Sequence, residues 1–141
     1  MARVELVNYP SGEWSDGSEV AGMDTAAAQF NRALLYDRDN RTAWHRLGLV
    51  AMLNRDFEAA VDSLYNAYLL DRDHRGIRKS LAYAYLWAGD MEQAMPLLQE
   101  IPEAEQELAN YAGWWQSQGY PILSERAQAA RDALTELNSR Q

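Results

Sequence analysis

The chain has no cysteine, which excludes disulfides, thiolate metal sites and cysteine nucleophiles. Lysine is almost as scarce: Lys79 stands alone beside twelve arginines, so recognition that needs several ammonium groups is excluded. No apolar run approaches the roughly 20 residues of a membrane-spanning helix, and the N-terminus has no signal-peptide h-region. A cytoplasmic protein without membrane insertion is expected. Thirteen basic residues against 21 acidic ones give a net charge of −8, which repels phosphate backbones and disfavours nucleic acid as a partner. What remains is 141 residues, 48% of them apolar, enough for one domain with a core.

Catalytic chemistry has little to work with. The only imidazoles, His45 and His74, are too far apart in sequence to share one helix face, and no HExxH, P-loop, GxGxxG or GxSxG motif occurs. His74 is expected in a solvated turn. The acidic groups Asp37/Asp39, Asp71/Asp73 and Glu103/Glu105/Glu107 lack the glycine and terminal glutamate of a calcium loop. No enzyme activity, metal or cofactor is expected. Asn40-Arg41-Thr42 has the form of a glycosylation acceptor, but Asn40 or Thr42 reads better as a helix cap.

An internal repeat sets the organisation. A shift of 34 residues lays Leu35-Tyr36-Asp37-Arg38-Asp39 on Leu69-Leu70-Asp71-Arg72-Asp73, and pairs Leu47 with Leu81, Gly48 with Ala82, Asp56 with Asp90 and Ala60 with Ala94. A shift of 30 then carries Tyr85 onto Trp115 and Gly89 onto Gly119. Within a unit the apolar spacing reads helix, turn, helix. Ala43, Trp44, Leu47, Val50, Ala51 and Leu53 mark the first helix; Phe57, Ala60, Val61, Leu64, Ala67 and Tyr68 mark the second. In the next unit Gly89 suits the left-handed residue after a helix, and Asp90 caps the following one with Gln93 three residues on. Arg55 occupies the equivalent turn without glycine's freedom, so strain is expected there. Pro96 inside a helix over 91–101 predicts a kink or a late start. Trp115 falls in the core column, and Trp114 is expected against the C-terminal helix. That helix reads as a cap, with Leu123, Ala127, Ala130, Leu134 and Leu137 in one stripe.

Trp44, Leu47-Gly48, Asp56-Phe57, Ala60, Leu64, Ala67 and Asp71 resemble the tetratricopeptide repeat family, and Leu81-Ala82, Tyr85, Gly89-Asp90, Ala94 and Leu98 continue the likeness. It implies an all-α, right-handed superhelix of antiparallel pairs with about seven helices. The expected layout is an N-terminal arm over 1–20 and a repeat domain over 21–141. Within that domain lie a half-repeat over 24–40, repeats over 41–74 and 75–104, and a degenerate repeat with a capping helix over 105–138. The arm's Val4, Leu6, Val7, Tyr9 and Trp14 are more apolar than a linker; it packs on the first helix or fills a groove.

The resemblance further implies that the first helix of each pair lines a concave groove. Carried onto this sequence, the groove holds His45, Leu49, Met52, Leu53, Lys79, Tyr83, Leu86 and Trp87, rimmed by Arg46, Arg75 and Arg78. Clamps for a C-terminal carboxylate use paired lysines and asparagines there, which these positions lack. Aromatic and methionine anchors with an arginine rim suit an apolar protein or peptide segment. The expected function is therefore a non-enzymatic adaptor, scaffold or assembly chaperone. Alternatives are a self-associating structural repeat, hence a homo-oligomer, and a small acidic chaperone like those of bacterial type III secretion.

Overall fold

The computed structural model describes residues 23–140, and the expected arm over 1–20 lies outside them. Seven helices follow one another: α1 (Met23–Tyr36), α2 (Arg41–Leu53), α3 (Phe57–Leu70), α4 (Arg75–Ala88), α5 (Met91–Leu98), α6 (Ala104–Ser117) and α7 (Pro121–Ser139). There is no strand among the described residues, so the all-α class is observed. Consecutive helices pack as α2 on α3, α3 on α4, α4 on α5 and α6 on α7, with α1 against α2.

The repeat dictates where helices begin. Asn40 accepts a hydrogen bond from the Ala43 amide at 3.0 Å, and His74, 34 residues on, accepts from the Ile77 amide through Nδ1 at 3.1 Å. Asp56 and Asp90, again 34 apart, accept from the amides of Ala59 and Gln93 at 3.2 and 3.1 Å. Each bond satisfies one of the orphan donors of a first turn. His74 is thus a half-buried helix cap and not the solvated turn residue its polarity suggests.

Helix ends repeat too. Arg55, Gly89 and Gly119 have φ of 60°, 94° and 87°. The next amide in each case reaches back five residues: Asp56 to Ala51, Asp90 to Tyr85 and Tyr120 to Trp115. These are three copies of one left-handed C-terminal motif, and only Arg55 adopts it with a Cβ, at a cost of roughly 1–2 kcal/mol. The expected strain at Arg55 is present.

Pro96 acts differently from expectation. α5 starts on time, capped by Asp90, and stops at Leu98, short of 101. Without an amide hydrogen, Pro96 cannot bond the Glu92 carbonyl, and a turn over 99–103 replaces the helix's last residues.

Small residues set the spacing. A Cβ on Gly48 would stand 2.4 Å from Leu64 Cγ, so α2 and α3 meet closer there than any side chain allows. Ala60, Ala67, Ala82, Ala94, Ala104, Ala127 and Ala130 are all fully buried at other contacts. Leu64, Leu81, Leu98, Leu108, Trp87, Tyr111 and Trp115 fill the space between.

Candidate functional site

Of the residues expected in a partner groove, His45, Leu49, Met52 and Leu53 lie on α2 and Lys79, Tyr83, Leu86 and Trp87 on α4. Lys79 links α4 to α6. Its side chain is only 4% exposed, and its ammonium donates to Glu103 at 3.0 Å and to Glu107 at 2.8 Å, both from the start of α6. Tyr83, one turn along α4, donates its hydroxyl to the other Glu107 oxygen at 2.8 Å. Arg75 pairs with Glu103 as well, and Arg78 pairs with Glu100 in the turn before α6. The Lys79 hydrogen bond, helped by Arg75, holds the Glu103 carboxyl down at about 2, against a desolvation that pushes it up. One lysine therefore ties two helices together.

Above this charge cluster lies an aromatic one. Tyr83 stacks on Trp87 with centroids 5.8 Å apart, and Tyr111 stands 5.0 Å from each of them. Trp115 meets Trp87 edge-on at 5.4 Å and touches Phe57 and Tyr120 on its other sides. Trp114 is half-buried, tilted against Trp115 at 4.6 Å and edge-on to Tyr111. α4 meets α6 through these long side chains and not through close backbone approach. From α7, Arg126 donates to the Trp87 carbonyl, pinning the end of α4.

On α2, His45 is half-buried with its ring edge-on to His74 at 5.5 Å. Burial, then the neighbouring His74, Arg46 and Arg41, push its pKa down to about 4, so it is neutral at pH 7. Leu49 and Arg78 are half-buried, and Arg46 and Arg75 are exposed. The other six assigned side chains behave differently: Met52, Leu53, Lys79, Tyr83, Leu86 and Trp87 are 0–7% exposed. The structure brings them together but leaves them almost no surface.

Sequence reasoning missed the partners across the face. Glu103, Glu107 and Tyr111 lie in the degenerate third unit, where the slipped register hides their relation to Lys79. The i, i+4 spacing of the two glutamates opposite a lone lysine was the signal. Among the described residues, no cluster of three or more His, Asp or Glu side chains is placed to hold a metal ion. None of the described helices is long and apolar enough to cross a membrane.

Antiparallel helix pairs capped and closed by the same recurring motifs define a helical-repeat protein. Residues 51–113, from the last turn of α2 into α6, match the family model of the tetratricopeptide repeat. No curated protein matches the chain. Tetratricopeptide repeats are in general non-catalytic and mediate protein–protein interaction.

Proposed function

We propose that this chain is a non-enzymatic adaptor or assembly chaperone that receives an apolar segment of a partner protein along the α2–α4–α6 face. The observation that supports this reading is the partly buried Leu49, packed against a cluster that includes Met52, Tyr83 and Trp87, together with the exposed Arg46 and Arg75 on α2 and α4. Anchors of this kind dominate protein interfaces, where buried aromatic side chains contribute most of the affinity and charged rims steer encounter. An apolar segment with an acidic flank fits the chemistry. Because most anchors have little exposed surface, binding requires exchange of one covering for another, which suits a holding protein better than a rigid receptor.

A photo-activated cross-linker placed at position 49, compared with one at position 65 on α3, tests the reading. Cross-linking of the same partner from 49 and not from 65 is the expected outcome. Partner capture only from 65 would move the binding face to the second helices.

A second reading, self-association, is favoured by a separate observation. Leu35 and Tyr36 are 82% and 88% exposed, and the 34-residue shift maps them onto Leu69 and Leu70, 43% and 41% exposed. Equivalent apolar pairs at the ends of α1 and α3 offer an edge to a second copy. Light scattering across concentration decides it: a mass that stays that of one chain ends this reading.

A further inference from the structure

The outward stripe of α3 is ordered along the helix. Glu58, Asp62, Tyr65 and Leu69 follow one another at alternating spacings of four and three residues, which puts them on one face, and all four are exposed. Arg72, just past the helix end and also exposed, carries the stripe on. Its guanidinium lies 5.3 Å from the centroid of the Tyr68 ring, and Tyr68 stacks on Tyr65 at 6.3 Å. The face therefore runs from acid through apolar to base. None of the ion pairs between described residues uses Glu58, Asp62 or Arg72. Packing within the chain does not account for the apolar part: Tyr65 and Leu69 are each 43% exposed, whereas Ala60, Leu64 and Ala67 of the same helix are fully buried. The 34-residue shift repeats the apolar and basic end on α1, where Leu35 and Arg38 are exposed. At α5 it replaces Asp62 and Tyr65 by Pro96 and Gln99, so the ordered stripe belongs to α3.

We propose that α3 seats a two-fold dimer, in which it lies antiparallel to α3 of a second copy. The proposal rests on the self-association reading and gives it a surface and a register. A two-fold axis joins a patch to itself, so the patch must be complementary to its own reverse. This stripe meets that condition. With Tyr65 of each copy against Leu69 of the other, Asp62 of each stands opposite Arg72 of the other, and two apolar contacts lie between two ion pairs. Parallel pairing would set acid on acid and base on base, which is unfavourable. Each contact occurs twice, so surface pairs that are individually weak still select one orientation. The matched stripe is about 20 Å long, and a single helix pair of that length buries less than the roughly 1,200 Å² of a standard interface, which makes the dimer concentration-dependent.

Exchanging the charges at the two ends tests the register. Sedimentation equilibrium of the full chain, from micromolar to millimolar concentration, should show reversible association to a dimer. Asp62→Arg and Arg72→Asp should each weaken it by about tenfold or more, because both symmetry-related pairs turn repulsive. Mixing the two variants should restore association as a heterodimer, since each then supplies the charges that the other needs. A chain carrying both substitutions should dimerise like the parent, and Leu69→Ser should lose the dimer with its charges intact. All of these positions are exposed, and circular dichroism checks that every variant is folded. A parent that stays monomeric throughout ends the self-association reading and this proposal with it. Association that every variant keeps overturns the α3 pairing and leaves self-association through another surface standing. Single variants that weaken but do not recover on mixing overturn the antiparallel register.

Discussion

Replacing Lys79 by methionine keeps the aliphatic stem and removes the charge that α6 is built around. Lys79 is 4% exposed, while the side chains of Glu107 and Glu103 are 15% and 34% exposed. Breaking a fully buried ion pair by deleting one partner costs about 3–5 kcal/mol, because the surviving charge keeps its desolvation penalty. Water reaches Glu103, so the cost here should fall near 2–3 kcal/mol, by the same reasoning discounted for exposure. The loss is electrostatic, and two further measurements must follow from that. Lys79→Met combined with Glu107→Gln, which removes the less hydrated of the two stranded carboxylates, should recover more than half of the deficit. Lowering the pH to 4 should narrow the gap between the single variant and the parent, since the variant's carboxylates take up protons there while Glu103 of the parent, held at about 2, does not. Urea denaturation followed by circular dichroism at pH 7 and pH 4 reads all three. A single variant within 0.5 kcal/mol of the parent, or a double variant as unstable as the single, would refute the assignment of α6 docking to this cluster.

His45, with its pKa depressed from 6.5 to about 4, binds fewer protons folded than unfolded. Its contribution is therefore fully present above pH 6.5 and is lost as the pH falls toward 4, by about 1 kcal/mol at pH 5 after halving for solvent screening. A His45→Leu chain should show a flatter stability profile between pH 7 and 5, and an unchanged slope in urea titrations would sink the assignment. Gly48→Ala places its Cβ 2.4 Å from Leu64 Cγ. Overpacking there should outweigh alanine's better helix propensity and lower stability by about 1–2 kcal/mol, and an equal or higher melting temperature would contradict the close approach of α2 and α3. Gly89→Ala forces a side chain onto φ of 94° beside the Arg126 guanidinium. About 1–2 kcal/mol should be lost, read in the same melts, with no loss meaning that the α4–α5 turn relaxes freely.

The 34-residue shift made the fold legible because it repeats the local chemistry of helix ends as well as the apolar spacing. Asp56 and Asp90, or Arg55 and Gly89, share a role at corresponding positions. The same shift sets His74 on Asn40, so the capping role of His74 was readable too, had polarity not been weighed above register. Pro96 shows the opposite case: proline's missing hydrogen bond is certain, but whether a helix kinks, starts late or stops early depends on its other restraints. The Asp90 cap fixed the start of α5, and the end gave way.

The exposure of the side chains assigned to the candidate face was illegible, for a physical reason. Helical spacing says which residues share a stripe, and the repeat says that the stripes of α2, α4 and α6 are neighbours. Neither says how far large side chains reach across the gap. Between α4 and α6 the backbones stand apart, and Tyr83, Trp87, Tyr111 and Trp115 close the space with ring contacts of 5.0–5.8 Å. Lys79 follows the same logic: a lone lysine on a binding face suggests a contact for a partner's acid, but Glu103 and Glu107 supply that acid from within the chain. The charge that looked available for recognition already holds the third helix pair in place. A partner that uses this face must therefore leave the Lys79 cluster intact and engage the half-buried Leu49 and His45, with Arg46 beside them. Partner binding should accordingly weaken on Leu49→Asp under conditions where circular dichroism shows that variant folded, whereas Lys79→Met should weaken folding and binding together.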